Sequence, residues 1–176
     1  KRQPWNTHLS SEEYEPDAFS ASSSSMFKAF SKNVFGDETK ANPYHYGHLP
    51  EITVNPDGTG TVKKHYCLGR ISHELIHVMP DNRTALMGDD YTNGGLFMFV
   101  ADKEKDLSAG TLYVAHYTES LTDISTAKME WINLGHATSA EIETLANSTK
   151  PTDIMESLTA DPNDTSYTKV FLDGTA

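Results

Sequence analysis

The part of the sequence that most constrains the fold is the stretch from residue 70 to residue 117, RISHELIHVMPDNRTALMGDDYTNGGLFMFVADKEKDLSAGTLYVAHY. Short runs rich in Ile, Leu, Val, Phe and Tyr alternate in it with turns that contain Pro, Asp, Asn and Gly. This pattern predicts four strands, at 70–79, 84–88, 95–102 and 111–117, whose first residues are roughly 11–16 residues apart. Such spacing is typical of an all-β sandwich or of one blade of a β-propeller.

The flanking segments add further strands and two short helices. The turn residues Asn55-Pro56-Asp57-Gly58 separate two predicted strands, at 51–54 and 60–66. Apolar residues with helical spacing, followed by Gly36, predict a helix at 26–35. The remaining predicted elements are a short strand at 5–9, a strand at 128–134, a helix at 138–147 and a final strand at 167–172.

These elements predict a mainly β fold with short helices in its connecting segments, either an all-β sandwich or a partial β-propeller. A propeller has about four to eight blades of about 40–50 residues each, so the 176 residues of the chain are too few to close a ring. The chain begins Lys1-Arg2-Gln3, without an initiator Met, and we expect it to be part of a longer protein. If the fold is a propeller, residues 1–176 form a single incomplete domain, part of a larger β-propeller.

The composition excludes several classes of function. The formal net charge is −11 and the sequence has no basic patch, so a nucleic acid is a poor partner, because Lys and Arg supply most of the affinity for phosphates. The longest apolar run, at 96–101, is far shorter than the roughly 20 residues of a membrane span. The single cysteine, Cys67, excludes an intramolecular disulfide framework and is expected to be a small buried hydrophobic residue.

Three segments place carboxylates next to turns and are candidate sites for a hard cation. They are Ser11-Glu12-Glu13 with Glu15 and Asp17, Arg70-Ile71-Ser72-His73-Glu74, and Gly88-Asp89-Asp90 with Asn93-Gly94-Gly95. On a strand, residues 70, 72 and 74 would share one face, so Arg70, Ser72 and Glu74 are predicted to form a polar row at the start of an otherwise apolar strand. Calcium takes about six to eight oxygen ligands, and adjacent acids at strand ends can supply them. The alternative interpretation is that these acids are simply solvated at turns.

The second of these segments contains another candidate metal motif. His73-Glu74-Leu75-Ile76-His77 matches the H-E-x-x-H pattern, in which two histidines bind zinc from one face of a helix. Pro80 follows closely, and the apolar residues at 71, 75 and 79 favour a strand, so a zinc site stays a less favoured alternative. The sequence has no series of the EF-hand type.

Several of these motifs occur in an order that is characteristic of one enzyme family. They are Pro4-Trp5 through Ser11-Glu12-Glu13, Gly69 to Glu74, Met87-Gly88-Asp89-Asp90, Leu96 to Val100, and Leu107 to Tyr113. Through them, residues 4–134 resemble the PhoX-type alkaline phosphatase family, exported bacterial phosphatases with a β-propeller fold, whereas residues 135–176 match weakly. The resemblance favours a strand over a zinc-binding helix at His73 to His77.

The resemblance implies a phosphomonoesterase with a mixed iron and calcium cluster, which carboxylates and a cysteine hold at the centre of the propeller. Carried over to this chain, it implies the metal ligands Glu12, Glu13, Glu74, Asp89 and Asp90. It also implies a periplasmic or secreted location, a phosphate monoester as substrate, and completion of the propeller by the remainder of the chain. A phosphatase with a net charge of −11 needs bound cations, because it would otherwise repel a phosphate dianion.

The chain departs from the family pattern in three places. Ser11 stands where the acidic motif usually has cysteine, which favours calcium over iron. Asp89 stands where many relatives have glutamate, and the later Arg- and Glu-bearing motif is not visible in the sequence. The main hypothesis is a metal-dependent phosphomonoesterase of which this segment alone is inactive. The alternatives are a non-catalytic calcium-binding β-propeller relative and a secreted structural domain.

Overall fold

The structure is a computed structural model, and it describes residues 2–18, 21–92, 94–118, 128–150, 153, 155–157 and 170–172. Within them there are two helices, α1 (Ser25–Phe35) and α2 (Ser139–Ser148). The strands are β1 (Thr7–Leu9), β2 (Leu49–Val54), β3 (Gly60–His65), β4 (His73–Val78), β5 (Thr84–Asp89), β6 (Leu96–Lys103), β7 (Asp106–Tyr117), β8 (Met129–Thr138), β9 (Met155–Ser157) and β10 (Val170–Leu172). Two short 3-10 turns, Pro43–His45 and Tyr66–Leu68, flank the β2–β3 hairpin.

β4 to β8 form one five-stranded antiparallel sheet, in which each strand pairs with its neighbours in the sequence. All four strands predicted between residues 70 and 117, and the one predicted at 128–134, belong to it. The charged residues between β6 and β7 form a tight turn, in which Lys105 adopts φ 62°. Gly110 lets β7 lie close to β6, since a Cβ there would be 2.4 Å from the carbonyl oxygen of Val100.

β1, β2 and β3 form a second antiparallel sheet in that order. The hairpin between β2 and β3 uses the predicted turn, in which Gly58 adopts φ 83° and the Asp57 carboxylate accepts hydrogen bonds from Thr59. β9 and β10 form a separate two-stranded ribbon. Of the strand predicted at 167–172, residues 170–172 form β10 and the rest lies outside the described residues.

The hydrophobic core connects the two larger sheets. Alternate residues of β5 and β6 face it: Ala85, Met87, Phe99 and Ala101 are each at most 1% exposed. Leu9, Leu49 and Leu68 join the same cluster from the smaller sheet and from the 3-10 turn after it. The described residues are therefore mainly β, but they form no closed barrel or propeller, and the partial β-propeller stays a prediction.

Both predicted helices are present, and each has the expected end signals. The Ser24 hydroxyl accepts a hydrogen bond from the Phe27 N–H at 3.3 Å, and Gly36 ends α1 at φ 75°. A capping box of Thr138 and Glu141 begins α2. Within the part of the chain that the structure describes, no helix is both long enough and apolar enough to cross a membrane.

The strand predicted at 70–79 differs from the observed one in a way that changes the site. β4 begins only at His73, and a β-bulge lies between His73 and Leu75. Because a bulge inserts one residue without a partner, the alternation of side chains is broken there, and Glu74 is exposed while Ile76 is buried. The predicted polar row of residues 70, 72 and 74 on one strand face is wrong. The zinc alternative is wrong as well, because residues 73–78 form a strand and not a helix.

Candidate functional site

The three acidic segments predicted from the sequence meet at Ser72. Its hydroxyl donates a hydrogen bond to the carbonyl oxygen of Glu13, and its N–H donates to Asp89 Oδ1 at 3.1 Å. Its own carbonyl oxygen accepts from the N–H of Asp90 at 2.9 Å. Ser72 is only 6% exposed. One buried residue of the second segment thus holds both of the other segments.

His73 strengthens this junction and lies at its buried side. Its N–H donates to the carbonyl oxygen of Glu12 at 3.2 Å, and β4–β5 pairing places it opposite Asp89. The imidazole is fully buried: Nε2 lies 3.2 Å from the carbonyl oxygen of Gly69, and Nδ1 has no hydrogen-bond partner. Burial lowers the pKa of His73, which favours the neutral ring.

Glu12 makes two close contacts through its carboxylate. Oε1 lies 2.6 Å from the ammonium of Lys64, and Oε2 accepts from the N–H of His48 at 2.9 Å. The Glu12 N–H also donates to the carbonyl oxygen of His48 at 3.0 Å, so this segment runs beside the start of β2. The carboxylate is therefore held by groups of the smaller sheet, which the sequence did not predict.

Asp89 lies at the end of β5 and is held from two sides. Besides the hydrogen bond from Ser72, its N–H donates to the carbonyl oxygen of Gly95 at 3.2 Å. A Cβ at Gly94 would be 2.5 Å from the Asp89 carbonyl oxygen, so a larger residue at 94 does not fit. The glycines after the acidic pair let the loop close around Asp89 itself. Asn93, the other member of the predicted cluster, lies outside the described residues.

The other predicted ligands do not converge on the same point. Glu13, Glu74 and Asp90 are exposed. Among the described residues, no three His, Cys, Asp or Glu side chains are grouped closely enough to hold a metal ion. The oxygen donors suit a hard cation chemically, but the described residues do not fit a complete calcium or iron site. The five-ligand set stays a prediction.

Arg70 connects the first acidic segment to the rest of the site. One guanidinium nitrogen donates to the carbonyl oxygens of Pro16 and, at 3.1 Å, Pro43. The guanidinium carbon lies 5.7 Å from the centroid of the Tyr44 ring. Burial lowers the pKa of Arg70, while the nearby carboxylates of Glu15 and Asp17 favour its charged form. Arg70 therefore anchors the segment that follows Glu12 and Glu13.

Cys67 is not a thiolate at this site. It is 6% exposed, and its Sγ lies 3.3 Å from the carbonyl oxygen of Leu107 and 3.2 Å from the hydroxyl oxygen of Ser139. Burial raises the pKa of the thiol. The prediction of a small buried residue is confirmed. Cys67 therefore does not substitute for the cysteine that the family pattern has at the position of Ser11.

A buried polar cluster that sequence reasoning missed lies beside β1. The Glu51 carboxylate accepts hydrogen bonds from the indole of Trp5 at 2.7 Å and from the hydroxyl of Thr7, and it lies 2.7 Å from Nε2 of His65. Burial alone would raise the pKa of Glu51, but the contacts with His65, Thr7 and Trp5 outweigh it and lower the pKa to about 2. A charged Glu in a mostly apolar strand was the signal in the sequence for this cluster. Its hydrogen-bond partners are far away in the sequence, so the pattern could not identify them.

Two surface cavities, of about 560 and 640 Å³, lie away from the five predicted ligands. The first lies between α1 and the end of α2 and includes Lys28, Lys40 and Lys150. The second lies between β3 and the start of α2. None of the five predicted ligands lines either cavity, so the junction at Ser72 remains the candidate site.

The family model described as "Alkaline phosphatase PhoX" matches residues 2–170 of the chain. The match covers the three acidic segments and extends well beyond residue 134, where the resemblance between motifs becomes weak. No curated protein and no solved structure shows significant similarity to the chain.

Proposed function

Because the chain belongs to the PhoX alkaline phosphatase family, we propose that it is part of a metal-dependent phosphomonoesterase. The reaction is transfer of a phosphoryl group from a phosphate monoester to water. The observation that carries this proposal is the meeting of three family motifs at Ser72, since its hydrogen bonds join Glu13, Asp89 and Asp90. Residues from three distant segments are brought together by buried backbone contacts, which is typical of a site rather than of solvated turns.

Calcium is the metal that we propose, and iron is less favoured because Ser11 stands where the family has cysteine. Bound calcium would supply Lewis-acid polarisation and charge neutralisation for the phosphoryl group. The net charge of −11 supports a need for cations, because the protein alone would repel a phosphate dianion. The described residues do not complete a coordination sphere, so we propose that the remainder of a larger β-propeller supplies further ligands.

The residues of this chain have positioning roles in the proposal. The Ser72 N–H orients the carboxylate of Asp89, and the Ser72 hydroxyl fixes the backbone at Glu13. Gly94 lets the loop close against Asp89, and Arg70 anchors the first acidic segment through Pro16. These contacts preorganise carboxylates before any ligand binds, which is the usual function of the residues that surround a catalytic site.

A second candidate is a non-catalytic, calcium-binding relative with the same β-propeller scaffold. It is favoured by one observation: Ser11 replaces the expected cysteine, while Cys67 is buried against Leu107 and Ser139 with a raised pKa. The described residues therefore contain no thiolate that could bind iron. Under either candidate we propose a periplasmic or secreted protein, following the family.

The proposal is tested on the full-length protein with p-nitrophenyl phosphate, with calcium and after treatment with EDTA. We expect calcium-dependent hydrolysis that Asp89→Asn reduces at least about tenfold, while Asp57→Asn in the exposed β2–β3 turn leaves it unchanged. Elemental analysis of the same preparations identifies the metal. Bound calcium without turnover would favour the non-catalytic relative, and bound zinc or no metal would contradict both candidates.

A further inference from the structure

The contacts of Glu12 do not match the metal-ligand role that the family resemblance implies for it. Its Oε1 lies 2.6 Å from Lys64 Nζ, and its Oε2 accepts from the His48 N–H at 2.9 Å. The Lys64 and Glu12 side chains are only 23% and 24% exposed. Each oxygen of the carboxylate thus already has a strong donor in a partly buried place.

Lys64 is surrounded by groups of the kind that stabilise a cation. Besides Glu12, its ammonium donates to the carbonyl oxygen of His45 at 2.5 Å and lies 5.2 Å from the centroid of the Tyr46 ring. The Glu12 carboxylate contributes, after burial, to the raised pKa of the Tyr46 phenol. The carboxylate, the carbonyl oxygen and the ring face together stabilise this ammonium.

The backbone explains why Lys64 reaches Glu12. β2–β3 pairing places Lys64 opposite Pro50. After β1, the chain continues beside β2. The Ser10 N–H donates to the carbonyl oxygen of Pro50 at 2.9 Å, and the Glu12 N–H donates to the carbonyl oxygen of His48 at 3.0 Å. The first acidic segment therefore extends the small sheet, which brings Glu12 near a lysine that is 52 residues away along the chain.

We propose that Lys64 is the cation at Glu12, so that this carboxylate is an ion-pair partner and not a metal ligand. A calcium ion bound to Oε1 would lie about 2.3–2.6 Å from that oxygen, next to an ammonium at 2.6 Å from the same atom. The repulsion between the two cations opposes such binding. Asp89 differs, because its observed donor is the neutral N–H of Ser72, and a metal ion there meets no competing charge from that partner.

The first arm of the test is a double-mutant cycle on urea unfolding of the full-length protein, with Glu12→Gln, Lys64→Met and both together. We expect the unfolding equilibrium constant of the double variant to differ at least about threefold from the product of the single effects. Lys64→Arg keeps the charge and should keep most of the stability. Lys63→Met is the matched control, since Lys63 is on the same strand and its contact with Asp106, at 3.7 Å, is about half exposed.

The second arm measures calcium affinity by calorimetry and by the shift of Tm. This arm depends on the proposed calcium site only through Asp89, the residue with which Glu12 is compared. We expect Glu12→Gln to bind calcium within about twofold of the wild type and Asp89→Asn to bind at least about tenfold more weakly. A tenfold loss with Glu12→Gln, or no coupling in the cycle, would overturn the inference. If the wild type binds no calcium, the proposed metal site fails, and the cycle alone decides whether Lys64 is the partner of Glu12.

Discussion

The backbone N–H of Ser72 donates a hydrogen bond to Oδ1 of Asp89 at 3.1 Å. This contact joins two acidic motifs that are 17 residues apart and lie on either side of the β4–β5 hairpin. The Ser72 hydroxyl simultaneously holds the carbonyl oxygen of Glu13. A residue that was not among the predicted ligands is therefore the centre of the candidate site, and it can be tested separately from the carboxylates.

Replacing Ser72 by Ala removes the hydrogen bond to Glu13 and keeps the backbone contacts with Asp89 and Asp90. We expect a loss of about 1 kcal/mol in the free energy of unfolding, because the carbonyl oxygen of Glu13 loses a partly buried hydrogen bond. Urea unfolding measures the loss, and exposed Ser10→Ala is the control with an expected change of less than about 0.5 kcal/mol. Equal effects of the two substitutions would show that Ser72 does not hold the first segment.

Gly110 and Gly88 allow a matched test of how closely the strands pack. Gly110→Ala places a Cβ 2.4 Å from the Val100 carbonyl oxygen and 2.6 Å from the Phe99 ring, whereas a Cβ at Gly88 meets nothing within 4 Å. We expect Gly110→Ala to destabilise the protein by about 2–4 kcal/mol, because backbone and core must both move. Gly88→Ala should change the free energy of unfolding by less than about 1 kcal/mol. Thermal melts of both variants make the comparison, and similar Tm values would argue against the β6–β7 packing described.

The buried Glu51 predicts a loss of stability in acid. Its folded-state pKa is lowered to about 2 from 4.5, so the ionised carboxylate adds stability that is fully present above pH 4.5 and disappears as the pH falls toward 2. The shift corresponds to roughly 3 kcal/mol, and solvent screens it little because Glu51 is only 9% exposed. Urea unfolding at pH values between 7 and 2 follows the loss.

Glu51→Gln is the variant that isolates this effect. It should flatten the pH dependence between pH 4.5 and 2 and should destabilise the protein at pH 7, because His65 loses its charged partner at 2.7 Å. Glu38→Gln, at an exposed position, is the control and should keep the wild-type pH profile. A Glu51→Gln variant with an unchanged profile would mean that another carboxylate causes the acid sensitivity.

The environment of Cys67 predicts a thiol that does not react in the folded protein. It is 6% exposed and burial raises its pKa, so both access and thiolate formation are limited. Alkylation by iodoacetamide at pH 8 should be slow in buffer and complete in about 8 M urea. Most small domains are unfolded at roughly that concentration. Rapid alkylation of the folded protein would contradict the buried position and would reopen a redox or metal role for the thiol.

The local elements could be predicted because their signals are local. The helix at Ser25–Phe35 follows from apolar spacing and from Gly36, and the β2–β3 hairpin follows from its four turn residues. The meander between residues 70 and 117 follows from apolar runs that are separated by turns. In each case a few neighbouring residues determine the backbone conformation, so the sequence pattern was sufficient.

The bulge at the start of β4 could not be predicted in the same way. Alternation along residues 70–79 assumes an unbroken strand, and the register with β5 shifts between His73 and Leu75. One additional residue reverses the faces of the side chains that follow. For this reason the predicted polar row of Arg70, Ser72 and Glu74 does not form: Ser72 is buried, whereas Glu74 is exposed.

The sequence by itself determined the mainly β character of this chain, its acidic charge and the family to which its ordered motifs belong. Only the tertiary structure decided which charged groups meet: Glu12 with Lys64, Glu51 with His65, and Ser72 with Asp89. The physical reason is that propensity and periodicity act over a few residues, whereas these contacts depend on the register between separate strands and on burial. A carboxylate in a motif can therefore be recognised from the sequence, but its partner cannot.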